Sequence, residues 1–140
     1  MTRSYQQSGV SKDGTMNLRE EMKKKTIFCD IDGTIFKYRR FETFRTSPVE
    51  TLPGVKEKMT AWAEAGHMII LTTARPEWMR DHTVDERTLN SIPFDKLIMG
   101  IRMGDRHLIN DNNPRVPGDR AFAHSLTRDE GFENLELNNG

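Results

Sequence analysis

Cysteine is the scarcest informative residue in this chain of 140 residues. Cys29 is the only one, which excludes an intramolecular disulfide and any zinc site built on cysteine pairs. No apolar run approaches the ~18 residues that a membrane span requires. The start, Met1 to Asn17, has no apolar stretch of the kind that marks a secretory signal; its Ser, Gln and Gly content reads as a flexible lead-in. Net charge is also missing: 21 basic residues balance 21 acidic ones. Bulk electrostatics therefore demand neither a membrane surface nor a nucleic acid, although a nucleic-acid partner stays open. No G-x-x-x-x-G-K-[ST] run is present, so a P-loop kinase is disfavoured. There is no internal repeat. These absences leave a single cytoplasmic domain, with no membrane partner, as the expectation.

Hydrophobic residues make up 35% of the chain, enough for one core. The expected organisation is a flexible or partly helical segment over 1–25, a folded domain over 26–128 and a tail over 129–140. Thr26-Ile27-Phe28-Cys29 is a short apolar run that suits a buried strand, and it ends abruptly at Asp30-Ile31-Asp32-Gly33. Phe36 to Leu52 mixes aromatics and arginines without a period and reads as a loop or flap. Pro53 to Ala65 predicts a helix, with Val55, Met59, Trp62 and Ala63 on one face and Gly66 just past its end. His67 to Thr72 predicts a second strand. Thr83-Val84-Asp85-Glu86 has the spacing of a capping box, so a helix is expected to start there. Lys96 to Met99 and His107 to Ile109 predict two further strands, and Ala121 to Leu126 alternates as an edge strand would. Strands alternating with helices predict an α/β fold with a mostly parallel sheet. The step from the third strand to the fourth, Gly100 to Arg106, is shorter than the dozen or so residues a parallel crossover usually takes.

Ligands bind outside the carboxyl ends of the strands in such sheets. Asp30, Thr73 and Asp111 each stand just past a predicted strand. Two carboxylates one residue apart, Asp30 and Asp32, have the chemistry of a nucleophile toward phosphorus and of a proton donor and acceptor. Gly33 lets the chain turn away behind them, though Asp and Gly also make ordinary turns. Thr73, followed by the backbone of Ala74 and by Arg75, offers a hydroxyl, free N–H groups and a guanidinium to a phosphate. Asp111 offers a further carboxylate to magnesium, an ion that takes few protein ligands and keeps several waters. Cys29, His67 and His124 read as structural, and Trp78 as either packing or a substrate contact.

The order of these elements resembles the haloacid dehalogenase-like (HAD) hydrolase superfamily. Its DxDGT motif is matched by Asp30-Ile31-Asp32-Gly33-Thr34, its second motif by Met68 to Thr73 and its fourth by Asn110-Asp111. The resemblance implies a three-layer Rossmann-like domain, here with minimal or no cap. It implies a magnesium-dependent phosphomonoesterase in which Asp30 forms a phosphoaspartyl intermediate and Asp32 is general acid and base. The metal ligands would be Asp30, Asp32 through its carbonyl, and Asp111; Thr73, Ala74, Arg75 and Gly33 would hold the phosphoryl group. Asn110 departs from the acidic pair of many members, and the third-motif lysine has no clear match: Arg102 stands roughly in its place, with Lys96 and Arg106 as the other candidates. The substrate implied is a small phosphorylated metabolite, a sugar phosphate ahead of a nucleotide or polynucleotide end. A capless chain implies an open site, a homo-oligomer, or both. A weakly catalytic binding or regulatory module and a phosphotransferase are the competing readings.

Overall fold

Three of the five expected strands form where the apolar runs stand. The computed structural model describes residues 18–44 and 46–137. Helix α1 (Leu18–Lys23) leads into β1 (Thr26–Asp30); then follow α2 (Val55–Glu64), β2 (Met68–Thr72), α3 (Arg80–Leu89) and β3 (Lys96–Ile98). The strands form one parallel sheet in the order β1-β2-β3, which makes the domain α/β. In the β1–β2 register Ile27 lies beside Ile69 and Cys29 beside Leu71, so alternation sends these side chains to one face. That face carries the core, where Cys29, Ile69 and Leu71 meet Ile31, Ile35, Phe36, Val55, Met59, Ile92 and Phe94. Phe28 and Ile98, whose places in the register point the other way, are exposed.

Helix α2 forms much as its pattern dictates. Val55 and Met59 are fully buried, and Trp62 and Ala63 pack at the edge of the same core. Its leading residue Gly54 has a left-handed φ of 76°, and Gly66 behind it one of 89°, conformations that glycine adopts at least cost. Phe36 to Leu52 is a loop pinned at both ends, where Leu52 N–H donates to Ile35 O (2.9 Å) and Lys37 N–H to Glu50 O (2.8 Å).

Three expectations need correction. Helix α3 starts at Arg80, not at Thr83. Three residues apart is the spacing of a capping box, but it is also the spacing of one helix face, and Thr83 and Glu86 use it to point inward, where both are buried. The strands expected at His107–Ile109 and Ala121–Leu126 are not formed, since 101–126 holds neither helix nor strand. The link after β3 is too short for a parallel crossover. Ile109 is accordingly 94% exposed. The tail expected over 129–140 is no tail up to residue 137, because Phe132, 1% exposed, belongs to the core. No helix among the described residues is long and apolar enough to cross a membrane.

Candidate functional site

The site grows from the end of β1. Asp30 pairs in register with Thr72 at the end of β2, so the loops behind both strands leave the sheet side by side. The first loop is a tight turn in which Ile31 O accepts from Ile35 N–H (2.8 Å) and more weakly from Thr34 and Phe36, while Gly33 N–H donates to Phe36 O (2.7 Å). Gly33 has φ +84°, a conformation a side chain would strain. From below, Asp129 N–H donates to Gly33 O (2.9 Å), and the Asp129 carboxylate accepts from Tyr38 N–H (2.7 Å).

The two carboxylates of this turn have unlike surroundings. Asp30 accepts a hydrogen bond from Thr34 Oγ1 (3.2 Å). Burial raises its pKa above the ordinary 3.8, and the negative charge of Asp32 adds to this; hydrogen bonds from Thr34 and the Ile31 backbone and the charge of Arg106 oppose it. Asp32 is gripped at both oxygens by one guanidinium, with Arg75 Nε at 2.9 Å from Oδ2 and Nη2 at 2.7 Å from Oδ1.

The native state therefore holds the Asp30 proton to higher pH than the unfolded chain does. The contribution of Asp30 to stability falls as pH rises through the ordinary carboxylate range, and ionised Asp30 opposes folding at neutral pH. Asp30→Asn is expected to melt at a higher temperature than the parent at pH 7. The difference should shrink toward pH 3, which thermal melts across that range will show.

Arg75 is not open to a phosphate. Its side chain is 1% exposed, and beyond Asp32 it donates through Nη1 to Thr83 Oγ1 (3.0 Å) and Glu86 Oε1 (2.7 Å). Burial alone would lower its pKa, but Asp32 and Glu86 together raise it above the ordinary value. The Phe44 ring lies against the guanidinium, 4.5 Å from its centroid, a cation–π contact. Glu86 has a second cation in Arg39, whose Nη2 is 2.7 Å from Oε2.

Thr73 is buried as well. Its hydroxyl accepts from Arg75 N–H (3.1 Å), and its own N–H donates to Ile98 O (3.0 Å). Ala74 sits between them, half-buried. The loops after β2 and β3 are tied by Gly100 N–H to Arg75 O (2.8 Å) and Ile101 N–H to Thr73 O (3.2 Å). Among the candidates for the third-motif cation, Arg106 is the one whose charge is felt at Asp30. Arg102 is exposed in the loop after β3, and Lys96 is exposed on that strand. Burial above all pushes the Cys29 thiol up to about 12, so it stays un-ionised, in keeping with a core residue.

Asp111 does not join this group. It is exposed and paired with Arg120, whose Nη2 is 2.7 Å from Oδ1 and whose Nε donates to the Asp111 carbonyl (3.0 Å). Among the described residues no cluster of three or more His, Cys, Asp or Glu is placed to hold a metal ion. The three-ligand magnesium set expected from the sequence thus does not fit this arrangement, because Asp111 lies in the stretch that forms no strand.

Thr83 and Glu86 are the residues of this arrangement that sequence reasoning missed; Arg39 stood out among the cations and aromatics after the first motif, but as a surface contact and not as the partner of a buried carboxylate. The i, i+3 spacing of Thr83 and Glu86 was the available signal, and it also fits a helix start. No family model matches the chain, and no curated protein matches it. A solved structure described as an MCSG target from Vibrio cholerae is similar at 18% identity, covering 61% of this chain and 79% of that one, with a TM-score of 0.45.

Proposed function

We propose that the chain is a cytoplasmic phosphomonoester hydrolase of the HAD-like kind, built on a minimally capped, three-layer Rossmann-like domain and acting on a small phosphorylated metabolite, a sugar phosphate first. The observation that supports this is the unlike pair of carboxylates on the turn after β1. Asp30 closes β1 and Asp32 follows it on the turn, so the two carboxylates leave the strand at different places and can take different roles. Asp30, which ends β1, has a hydroxyl neighbour in Thr34 and feels the charge of Arg106, suits the nucleophile. Asp32 takes the proton carrier's role from its place in the DxDGT motif; Arg75 holds its orientation, and one bond of that fork must open when Asp32 is protonated.

In the first step an Asp30 oxygen forms a bond to phosphorus as the ester P–O bond breaks, and Asp32, protonated from solvent with one bond of the Arg75 fork open, gives that proton to the departing alkoxide. In the second, water attacks the phosphoaspartate, Asp32 takes a proton from it, and the P–O bond to Asp30 breaks to release inorganic phosphate. Thr73 and the backbone after it border the place of the phosphoryl group, and Arg106 supplies positive charge toward Asp30.

Phosphate release from p-nitrophenyl phosphate and a panel of sugar phosphates tests the proposal, with and without magnesium and with EDTA. Asp30→Asn is expected to lower kcat at least about a hundredfold, as loss of a nucleophile does. Retained activity in that variant would sink the nucleophile assignment. Arg106→Ala is expected to lower kcat/KM about tenfold through lost charge at the nucleophile, and Arg102→Ala to change it less than about twofold. Equal effects of the two would remove Arg106 from the site. The standing apart of Asp111 favours a second reading, a binding module without turnover, for which no ester in the panel would release phosphate.

A further inference from the structure

We infer that Glu86, on α3 and outside both motif loops, is a positioning residue for Asp32 and acts through Arg75. This rests on the proposed role of Asp32 as proton carrier. A guanidinium is planar and its donors keep fixed angles. Arg75 spends one edge, Nε and Nη2, on the two oxygens of Asp32. Its remaining nitrogen, Nη1, is anchored on α3 by Glu86 Oε1 and Thr83 Oγ1. Fixing Nη1 fixes the plane of the fork, and that plane sets how the Asp32 carboxylate faces the site.

Glu86 also joins the loop after the first motif to this arrangement. Its second oxygen holds Arg39 Nη2, and Arg39 Nη1 donates to the carbonyls of Phe44 (3.3 Å) and Ser47 (3.1 Å). The Phe44 ring packs against both guanidinium groups, at 4.5 Å and 5.1 Å. His82 Nε2 lies 3.5 Å from the same Glu86 oxygen. Two arginines thus share one buried carboxylate, 8% exposed. Without its charge they repel each other in a dry setting, and the Nη1 side of Arg75 keeps only the neutral hydroxyl of Thr83 against the ion pair with Asp32 on the other side. An error of orientation at a proton-transferring group weakens its transfer while leaving substrate binding almost untouched.

The test compares two esters. An alkyl phosphate such as glycerol 2-phosphate needs its leaving oxygen protonated, whereas p-nitrophenyl phosphate needs this far less. In Glu86→Gln, kcat for the alkyl ester is expected to fall about thirtyfold and for the aryl ester less than about threefold, with both KM values within about twofold. Glu86→Asp, which keeps the charge on a shorter stem, should recover part of the loss. Equal losses on both esters would mark Glu86 as merely structural and overturn the inference. A second measurement needs no turnover: the Arg75 Nε–H resonance, assigned by its disappearance in Arg75→Lys, should exchange with solvent at least about tenfold faster in Glu86→Gln. Unchanged exchange in a folded Glu86→Gln would also overturn the inference. Faster exchange in a chain whose parent hydrolyses neither ester supports the hold of Glu86 on Arg75 and removes the phosphatase reading instead.

Discussion

Arg75→Met is expected to destabilise the fold by about 3–5 kcal/mol, the usual consequence of removing one partner from a buried ion pair. The side chains of Asp32 and Glu86 are 15% and 8% exposed. With Arg75 gone, Asp32 loses the fork that faced it, and Glu86 is left with Arg39. Methionine fills much of the arginine's volume, so packing against Phe44 survives and the loss reports on charge. Urea unfolding of the variant should show a lower midpoint with an unchanged slope. Neutralising the stranded acids should then help. The triple variant Arg75→Met, Asp32→Asn, Glu86→Gln is expected to regain more than half of the lost stability, because neutral amides are far less costly to bury than unpaired carboxylates. A triple variant no more stable than Arg75→Met would show that the loss comes from packing, and that the network contributes little. The comparison bears on function because Arg75 links the first-motif turn to α3 and engages a proposed reacting group.

Much of this was legible in the sequence where composition changes abruptly. Thr26 to Cys29 and Met68 to Leu71 are apolar runs that stop at polar residues, and such runs become strands whose ends hold the site. Val55 and Met59 lie one turn apart behind a proline and glycine, which makes α2 easy to read. Asp30 and Asp32 were legible as a pair from their spacing, but their difference was not. That difference comes from which acid Arg75 faces, and an arginine after a strand carries no mark of whether it turns toward a ligand or a carboxylate. Thr83 and Glu86 were misread because one spacing serves two geometries, a cap and an inward helical face. His107 to Ile109 had the composition of a strand, but a strand needs a neighbour within reach of its tether, and the residues from Gly100 to Arg106 are too few to bring it to one. Asp111 was placed at the site on the strength of that strand and left the site with it.

Phe132 had no signal at all, being a lone aromatic among polar residues, yet Phe132→Ala is expected to cost about 3–5 kcal/mol, the range for emptying a buried aromatic site. The ring is 1% exposed and lies 5.7 Å from Trp62 at a tilt of 33°. Its neighbours leave little freedom to collapse into the space. Phe132 N–H donates to Pro53 O (2.8 Å), and Leu135 N–H returns to Phe132 O (2.9 Å). Gly131, at φ +80°, passes so close to Pro53 that a β-carbon would overlap its carbonyl. Lys58 on α2 reaches the Leu135 carbonyl and Glu136. These contacts seat the end of the described chain against the start of α2. A few residues earlier the same segment carries Asp129, itself in a left-handed conformation at φ 67°, which braces Gly33 and Tyr38 beside the first motif. Emptying the Phe132 site therefore loosens the support under the turn that holds Asp30 and Asp32. Urea unfolding will read the stability loss. In the fraction still folded, kcat is expected to fall about two- to fivefold, since the brace is weakened and no reacting group is removed. A chain ending at Arg128 loses anchor and brace together, and it is expected to show no cooperative unfolding transition. A truncated chain that melts like the parent would return residues 129–137 to the status of a tail.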